Sequence, residues 1–375
     1  MSEADEAVRP RARDVGLRLG TMDPGTLNAI TDVAGVRVGH TTLISGSGPL
    51  RPGHGPVRTG VTVILPHSGN LFREKVPGAV HVINGFGKCM GQEQIEELGQ
   101  IEGPIALTGT MNVGRVTDAL ISYGIRESPE IGVTTSTINP VVGECSDATL
   151  NDMHGRHVRE EHVLAAIDGA QGGVVAEGAV GAGTGMSAFG FKGGIGTASR
   201  ITVPERGGWT VGVLVLANFG RKEQLVIDGV PVGRLLSAEL DPQPERGSIM
   251  FIVATDAPLL DRGLKRLARR CAHGLARTGS TSGHGSGDYV IAFSTAEAVR
   301  IPHEPEQLTL RHEVVADTGR AMDPLFQATV EATEEAIMNA LFRATTMVGR
   351  DDNVREGLPL ELVIPMLHEH GRITD

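Results

Sequence analysis

The chain has 375 residues, a formal net charge of −11 and only 3% aromatic side chains. That balance argues against a nucleic-acid partner, because phosphate binding needs clustered Lys and Arg and base stacking needs aromatic platforms. No run approaches the 18 or so uninterrupted apolar residues of a membrane span, and the N-terminal MSEADEAVRPRARD is charged where a signal peptide needs an apolar core, so the expectation is a soluble, cytoplasmic enzyme without a membrane partner.

The length suits two domains or one large α/β unit. Residues 28–43 (NAITDVAGVRVGHTTL) and 60–66 (GVTVILP) read as strands with glycine turns between them. GQEQIEELG (91–99), NVGRVTDALISYGI (112–125) and EEHVLAAIDGA (160–170) carry helical spacing. A glycine-rich stretch at 178–199 precedes strands at 210–219 (TVGVLVLANF) and 248–255. From Pro258 to about Leu275 one helix would align Leu260, Leu264, Leu267, Cys271 and Leu275, with Asp256 as its N-cap. A strand at 289–294 (YVIAFS) and a long helix at about 323–343 complete the order. Strands outnumber a simple βα alternation, which predicts two sheets covered by helices rather than one doubly wound sheet.

Several familiar chemistries find no support. The segments VGAGTGM (180–186) and GFKGGIGTAS (190–199) are glycine-rich, yet they lack GK[ST] and a GxGxxG that opens a helix, so no nucleotide is expected. His154, His157 and His162 have neither HExxH spacing nor a nearby cysteine, and read as a solvated helical face rather than a zinc site. Cys89, Cys145 and Cys271 are too scattered for a disulfide framework and are expected as free thiols. There is no GxSxG elbow.

Residues 244–254, PERGSIMFIVA, put Ser248 directly after Gly247 at the threshold of an apolar, β-branched run. Turn chemistry before a strand is the ordinary explanation. The alternative is that the Gly247-Ser248 bond is cut. Ser248 would then carry a hydroxyl nucleophile and, on the same residue, an α-amine whose ordinary pKa of about 7.7 to 8.0 suits a general base. That pairing supplies the base without which a serine hydroxyl is a poor nucleophile.

The sequence also resembles a known family. NAITDVAGVRVGH (28–40), INGFGKCMG (83–91), VVGECSDATLND (141–152), VGAGTGM with FKGGIGTASR (191–200), LANFG (216–220), RGSIMFIVATDAPL (246–259) and SGHGSGDYVIAFST (282–295) are similar, in this order, to the DmpA-type L-aminopeptidase/D-esterase-amidases and β-peptidyl aminopeptidases of peptidase family S58. The resemblance implies a four-layer α/β/β/α sandwich shared with ornithine acetyltransferase. It implies a precursor that cuts itself into residues 1–247 and 248–375, two chains of one intertwined domain, with the heterodimers assembled as a homo-oligomer, commonly a tetramer.

Carried over residue by residue, the new N-terminal nucleophile falls on Ser248, the residues that orient it on Ser286 and Asp288, the oxyanion amide on Asn218, and the group that recognises the substrate's ammonium on Glu144. The implied activity is release of N-terminal residues from small peptides, amides or esters, with no metal or organic cofactor. Two departures stand out. Ser146 occupies the place where D-amidase members have a tyrosine, which leaves a roomier pocket, and the GKCMG segment departs from the NG-x-GE of the β-peptidase members. The sequence leaves open α- or β-peptide and D or L preference, and two rival readings: an acyltransferase like ornithine acetyltransferase, or an uncleaved, non-catalytic scaffold.

Overall fold

A computed structural model of the chain describes residues 8–237 and 246–373. The charged MSEADEA start, and Pro244 and Glu245 ahead of the Gly247-Ser248 junction, lie outside them. In chain order the strands are β1 (Arg37–Ser45), β2 (Val57–Leu65), β3 (Glu74–Gly85), β4 (Cys89–Met90), β5 (Gln100–Ile101), β6 (Ile105–Gly109), β7 (Val141–Cys145), β8 (Ser187–Ala188), β9 (Phe191–Lys192), β10 (Gly194–Ile201), β11 (Thr210–Asn218), β12 (Arg246–Thr255), β13 (Gly285–Ser294), β14 (Ile301–Pro302), β15 (Met347–Val348) and β16 (Val354–Arg355). The helices are α1 (Gln92–Leu98), α2 (Val113–Glu127), α3 (Glu160–Asp168), α4 (Val232–Leu236), α5 (Asp261–Ala268), α6 (Cys271–Arg277), α7 (Gly319–Arg343) and α8 (Leu360–Glu369).

Two mixed sheets dominate. One runs β1-β2-β6-β7-β4, the other β10-β11-β12-β13-β3-β14 with β5 paired to β3. The period-2 alternation of their side chains separates three apolar layers. On β11 and β12, Val211, Val213, Val215, Ile249, Phe251 and Val253 face the layer that holds Leu264, Leu267 and Leu275 of α5 and α6, and α7. Leu214, Leu216, Met250 and Ile252 of the same strands point the other way, against Ile105, Leu107 and Val141 of the first sheet. The far side of that sheet, through Val61, Val63 and Val142, packs on α2 and α3. The result is the four-layer α/β/β/α sandwich, and strands buried on both faces explain why TVGVLVLAN and SIMFIVAT read as nearly continuous apolar runs.

The close seating of α7 on the sheet depends on Gly196, where a Cβ would stand only 2.0 Å from the Ala336 carbonyl oxygen. Beside it the fully buried Arg200 pairs with Glu331 (3.1 Å) and Glu335 (2.6 Å) of α7, so a costly buried cation is matched on both sides.

Four details differ from the sequence expectation. The strand expected from residue 28 begins at Arg37, because Ile30–Asp32 turns as a 3₁₀ helix. The single helix expected from Pro258 to Leu275 is two, α5 and α6, interrupted at Arg269-Arg270. Asp256 caps neither, since its carboxylate accepts the Thr210 N–H (2.8 Å) at the end of the neighbouring strand. The histidine cluster is not one helical face either. His154 sits in a 3₁₀ turn, His157 bonds to Asp152 (3.0 Å) and His162 lies in the first turn of α3.

Candidate active site

The cleft of interest lies where β11, β12 and β13 start or end beside β7. Strand β12 pairs antiparallel with β11 and parallel with β13, which sets Ser248 opposite Asn218 on one side and Gly287 on the other. Ser248 is buried, donates its hydroxyl to the Gly247 carbonyl (2.7 Å) and accepts the Gly287 N–H (3.2 Å). The preceding glycine has a steric reason. Its φ is +151°, and a Cβ there would meet the Asn218 carbonyl oxygen at 2.2 Å, so any side chain at 247 would push β12 off β11.

Asn218 is also buried, and its Oδ1 accepts the Ser187 N–H (2.9 Å). A backbone N–H can only donate, so this bond fixes which end of the amide is oxygen and assigns the Nδ2 end as the donor. Ser187 follows a turn tied together by Lys192. The Lys192 ammonium, wholly buried, donates to the carbonyls of Gly183 (2.8 Å), Met186 (2.9 Å) and Gly193 (2.8 Å). Burial pushes that ammonium down to about 7.

On β13, Ser286 and Asp288 stand in register with Gly247 and Ile249, one on each side of the position opposite Ser248. Both are buried, and the Ser286 hydroxyl donates to Asp288 Oδ1 at 2.5 Å. Asn84 of β3 holds the Ser286 carbonyl from behind (2.5 Å).

Glu144 stands one residue before the end of β7, across the cleft. One carboxylate oxygen accepts the Lys88 N–H (3.0 Å) and lies 3.8 Å from Lys88 Nζ; the other accepts the Thr110 hydroxyl. Together Glu144, Ser146, Ser248, Lys88, Thr110 and Phe86 line a cleft of about 520 Å³, closed on another side by residues 283–285. Of the seven expected positions, Glu144, Ser146, Gly247 and Ser248 line the cleft, whereas Asn218, Ser286 and Asp288 are buried on the strands that flank Ser248 and do not line it.

The thiols are free and buried, as expected, and burial pushes Cys89 and Cys271 up to about 12 and Cys145 well above its usual range. None is therefore a competing thiolate nucleophile. Among the described residues no cluster of His, Cys, Asp or Glu suits a metal ion.

Sequence reasoning missed Lys88, Thr110, Ser187, Lys192 and the Gly287 amide. Lys88 and Lys192 left a trace only as lysines inside the glycine-containing segments INGFGKCMG and GFKGGIGTAS.

Comparison with known proteins agrees with this architecture. The family model of Peptidase family S58 matches residues 28–355. The chain is 45% identical to the beta-peptidyl aminopeptidase BapA of Sphingosinicella xenopeptidilytica, over 93% of this chain and 89% of that protein. It superposes on a Burkholderia sp. beta-aminopeptidase with a TM-score of 0.88 at 42% identity, covering 96% and 99% of the two chains. The L-aminopeptidase D-Ala-esterase/amidase of Ochrobactrum anthropi, a serine aminopeptidase with a variant of the Ntn hydrolase fold, gives a TM-score of 0.88 at 39% identity, covering 98% and 100%.

Proposed function

This chain belongs to peptidase family S58 and is an aminopeptidase, and from that premise we propose that it is a serine enzyme which builds its own active site by cutting the Gly247-Ser248 bond. The observation that carries the proposal is the seat of Ser248. Its hydroxyl lies against the Gly247 carbonyl, at a glycine-dependent position, between Asn218 and the Ser286-Asp288 pair.

In maturation, Ser248 Oγ adds to the Gly247 carbonyl carbon, the peptide C–N bond breaks and the nitrogen leaves as the Ser248 amine. Water then cleaves the resulting ester, giving a Gly247 carboxylate and the free Ser248 hydroxyl. In turnover the same Oγ attacks the carbonyl of a substrate's first residue. The Ser248 α-amine takes the hydroxyl proton and passes it to the leaving amine, and water releases the acyl group from Oγ. Asn218 donates to the oxyanion, Ser286 and Asp288 orient the amine, and Glu144 holds the substrate's ammonium. Ser146 leaves room beside the scissile bond.

Both pieces, 1–247 and 248–375, are needed for one sheet: β12 and β13 of the second lie between β11 and β3 of the first. Cutting the bond therefore leaves the two chains interleaved. Exposed Ile121 and Ile125, one turn apart on α2, are consistent with further assembly into a homo-oligomer, and the reading places the enzyme in the cytoplasm with small peptides or amino-acid amides and esters as substrates. No helix among the described residues is long and apolar enough to cross a membrane.

Intact mass spectrometry tests the proposal. The native protein is expected as chains of 247 and 128 residues and Ser248→Ala as one. A fully active preparation that stays a single chain would overturn it.

A further inference from the structure

A simple substrate would bring a second cation to Glu144, a carboxylate that already has Lys88 beside it. Of the side chains that line the cleft, Lys88 and Glu144 are the ionised ones, with His284 the other titratable group. With the cleft empty, Lys88 Nζ stands 3.8 Å from Glu144 Oε1 and offsets its charge. A substrate ammonium that takes Glu144 as its partner brings a second cation to the same carboxylate. Lys88 is then left facing a like charge at short range, which is unfavourable in a partly enclosed site. A substrate that carries an anion beside its ammonium removes the conflict.

We propose that Lys88 forms a carboxylate subsite, so that the preferred first residue carries its own carboxylate within a few ångströms of its free amine. The inference rests on the aminopeptidase reading above and adds a substrate class to it. Two kinds of residue have this chemistry. An α-linked aspartyl residue presents a side-chain carboxylate, and a β-linked aspartyl residue presents ammonium and carboxylate on one carbon while its side-chain carbonyl is the one attacked. The short spacing of Lys88 Nζ and Glu144 fits either pair of charges. The Lys88 side chain is 58% exposed whereas Glu144 is 3% exposed, so the lysine head can swing to a ligand while the carboxylate stays fixed by the Lys88 N–H and the Thr110 hydroxyl.

The test compares kcat/KM for α-aspartyl, β-aspartyl, alanyl and β-alanyl 4-nitroanilides, which carry no C-terminal carboxylate, in the native enzyme, Lys88→Met and Lys88→Glu. At least one aspartyl anilide should exceed its matched alanyl anilide by about tenfold or more, the range of a charge-assisted hydrogen bond. That ratio should fall about tenfold in Lys88→Met and further in Lys88→Glu, whichever aspartyl linkage is preferred. Native enzyme that hydrolyses the alanyl or β-alanyl anilide, with an aspartyl ratio near one or a ratio that Lys88→Met leaves in place, would overturn the subsite and leave the aminopeptidase reading standing. No hydrolysis of any of the four would overturn that reading, and the subsite with it.

Discussion

Ser248 and Asn218 face each other across the antiparallel β11-β12 ladder, so one backbone register fixes both the hydroxyl proposed to attack and the amide proposed to receive the oxyanion. Groups set on neighbouring strands need no rearrangement as charge develops, and this preorganisation is what makes such donors effective. Asn218→Ala should lower kcat by 10²- to 10³-fold, about 3 kcal/mol, with a much smaller change in KM. Self-cleavage should slow in parallel if the same amide serves both steps. Steady-state kinetics on fully processed protein, together with a time course of processing by mass, checks both.

A second prediction concerns the Ser286-Asp288 pair. Their 2.5 Å hydrogen bond flanks the position opposite Ser248, so a negative charge sits one strand away from the α-amine released by cleavage. A nearby carboxylate favours the ammonium form and raises the amine's pKa. Asp288→Asn should therefore slow hydrolysis roughly 10²-fold and move the acidic limb of the kcat/KM profile to lower pH, because the amine now loses its proton more easily. An unchanged rate with an unmoved limb would remove Asp288 from the site.

Glu144 allows a sharper contrast. An aminopeptidase must tell a free ammonium from an acylated nitrogen, and a buried carboxylate with two fixed donors already on it is suited to that. N-acetylated amides should be very poor substrates of the native enzyme. Glu144→Gln should raise KM for free-amine amides about tenfold or more, as expected for the loss of a charge-assisted hydrogen bond. Equal turnover of matched free and acetylated amides by the native enzyme would instead indicate a general amidase or an acyltransferase.

How much of this was legible in the sequence depends on how locally each feature is determined. The strand at Ser248 was readable because burial on both faces writes an unbroken apolar run, and the number of such runs pointed to two sheets covered by helices, while the four-layer order came from the family resemblance. The family resemblance supplied the residues around it. The partners of Glu144 were not readable, since Lys88 and Thr110 lie 56 and 34 residues away and meet it only when β4, β6 and β7 come together. The Asp256 cap failed for a similar reason. Its carboxylate was a sound local cap for a helix, but Thr210, on a strand 46 residues earlier, presents an N–H that claims it first. Lys192 escaped because its partners are main-chain carbonyls, which no side-chain pattern records.

Lys192 supports the last prediction. It ties together the carbonyls of Gly183, Met186 and Gly193, and that turn delivers the Ser187 N–H to Asn218, so it acts as a positioning residue for the oxyanion amide. Lys192→Met, similar in shape but without donors, should reduce kcat by more than it raises KM. Its pH dependence follows from burial, which lowers the folded-state pKa to about 7 against about 10.4 in the unfolded chain. Between those values the unfolded state binds more protons, so this group makes stability rise with pH across that window, by up to about 5 kcal/mol, with nothing further gained above it. The cost of burying the cation is felt in full below about pH 7. Both measurements of stability belong in a Ser248→Ala background, where an uncut chain permits reversible unfolding. Denaturant midpoints at pH 7 and pH 9.5 should show the Lys192 parent gaining on Lys192→Met as the pH rises. Parallel curves would mean that the three carbonyls hold the ammonium charged throughout, and that its pKa lies well above 7.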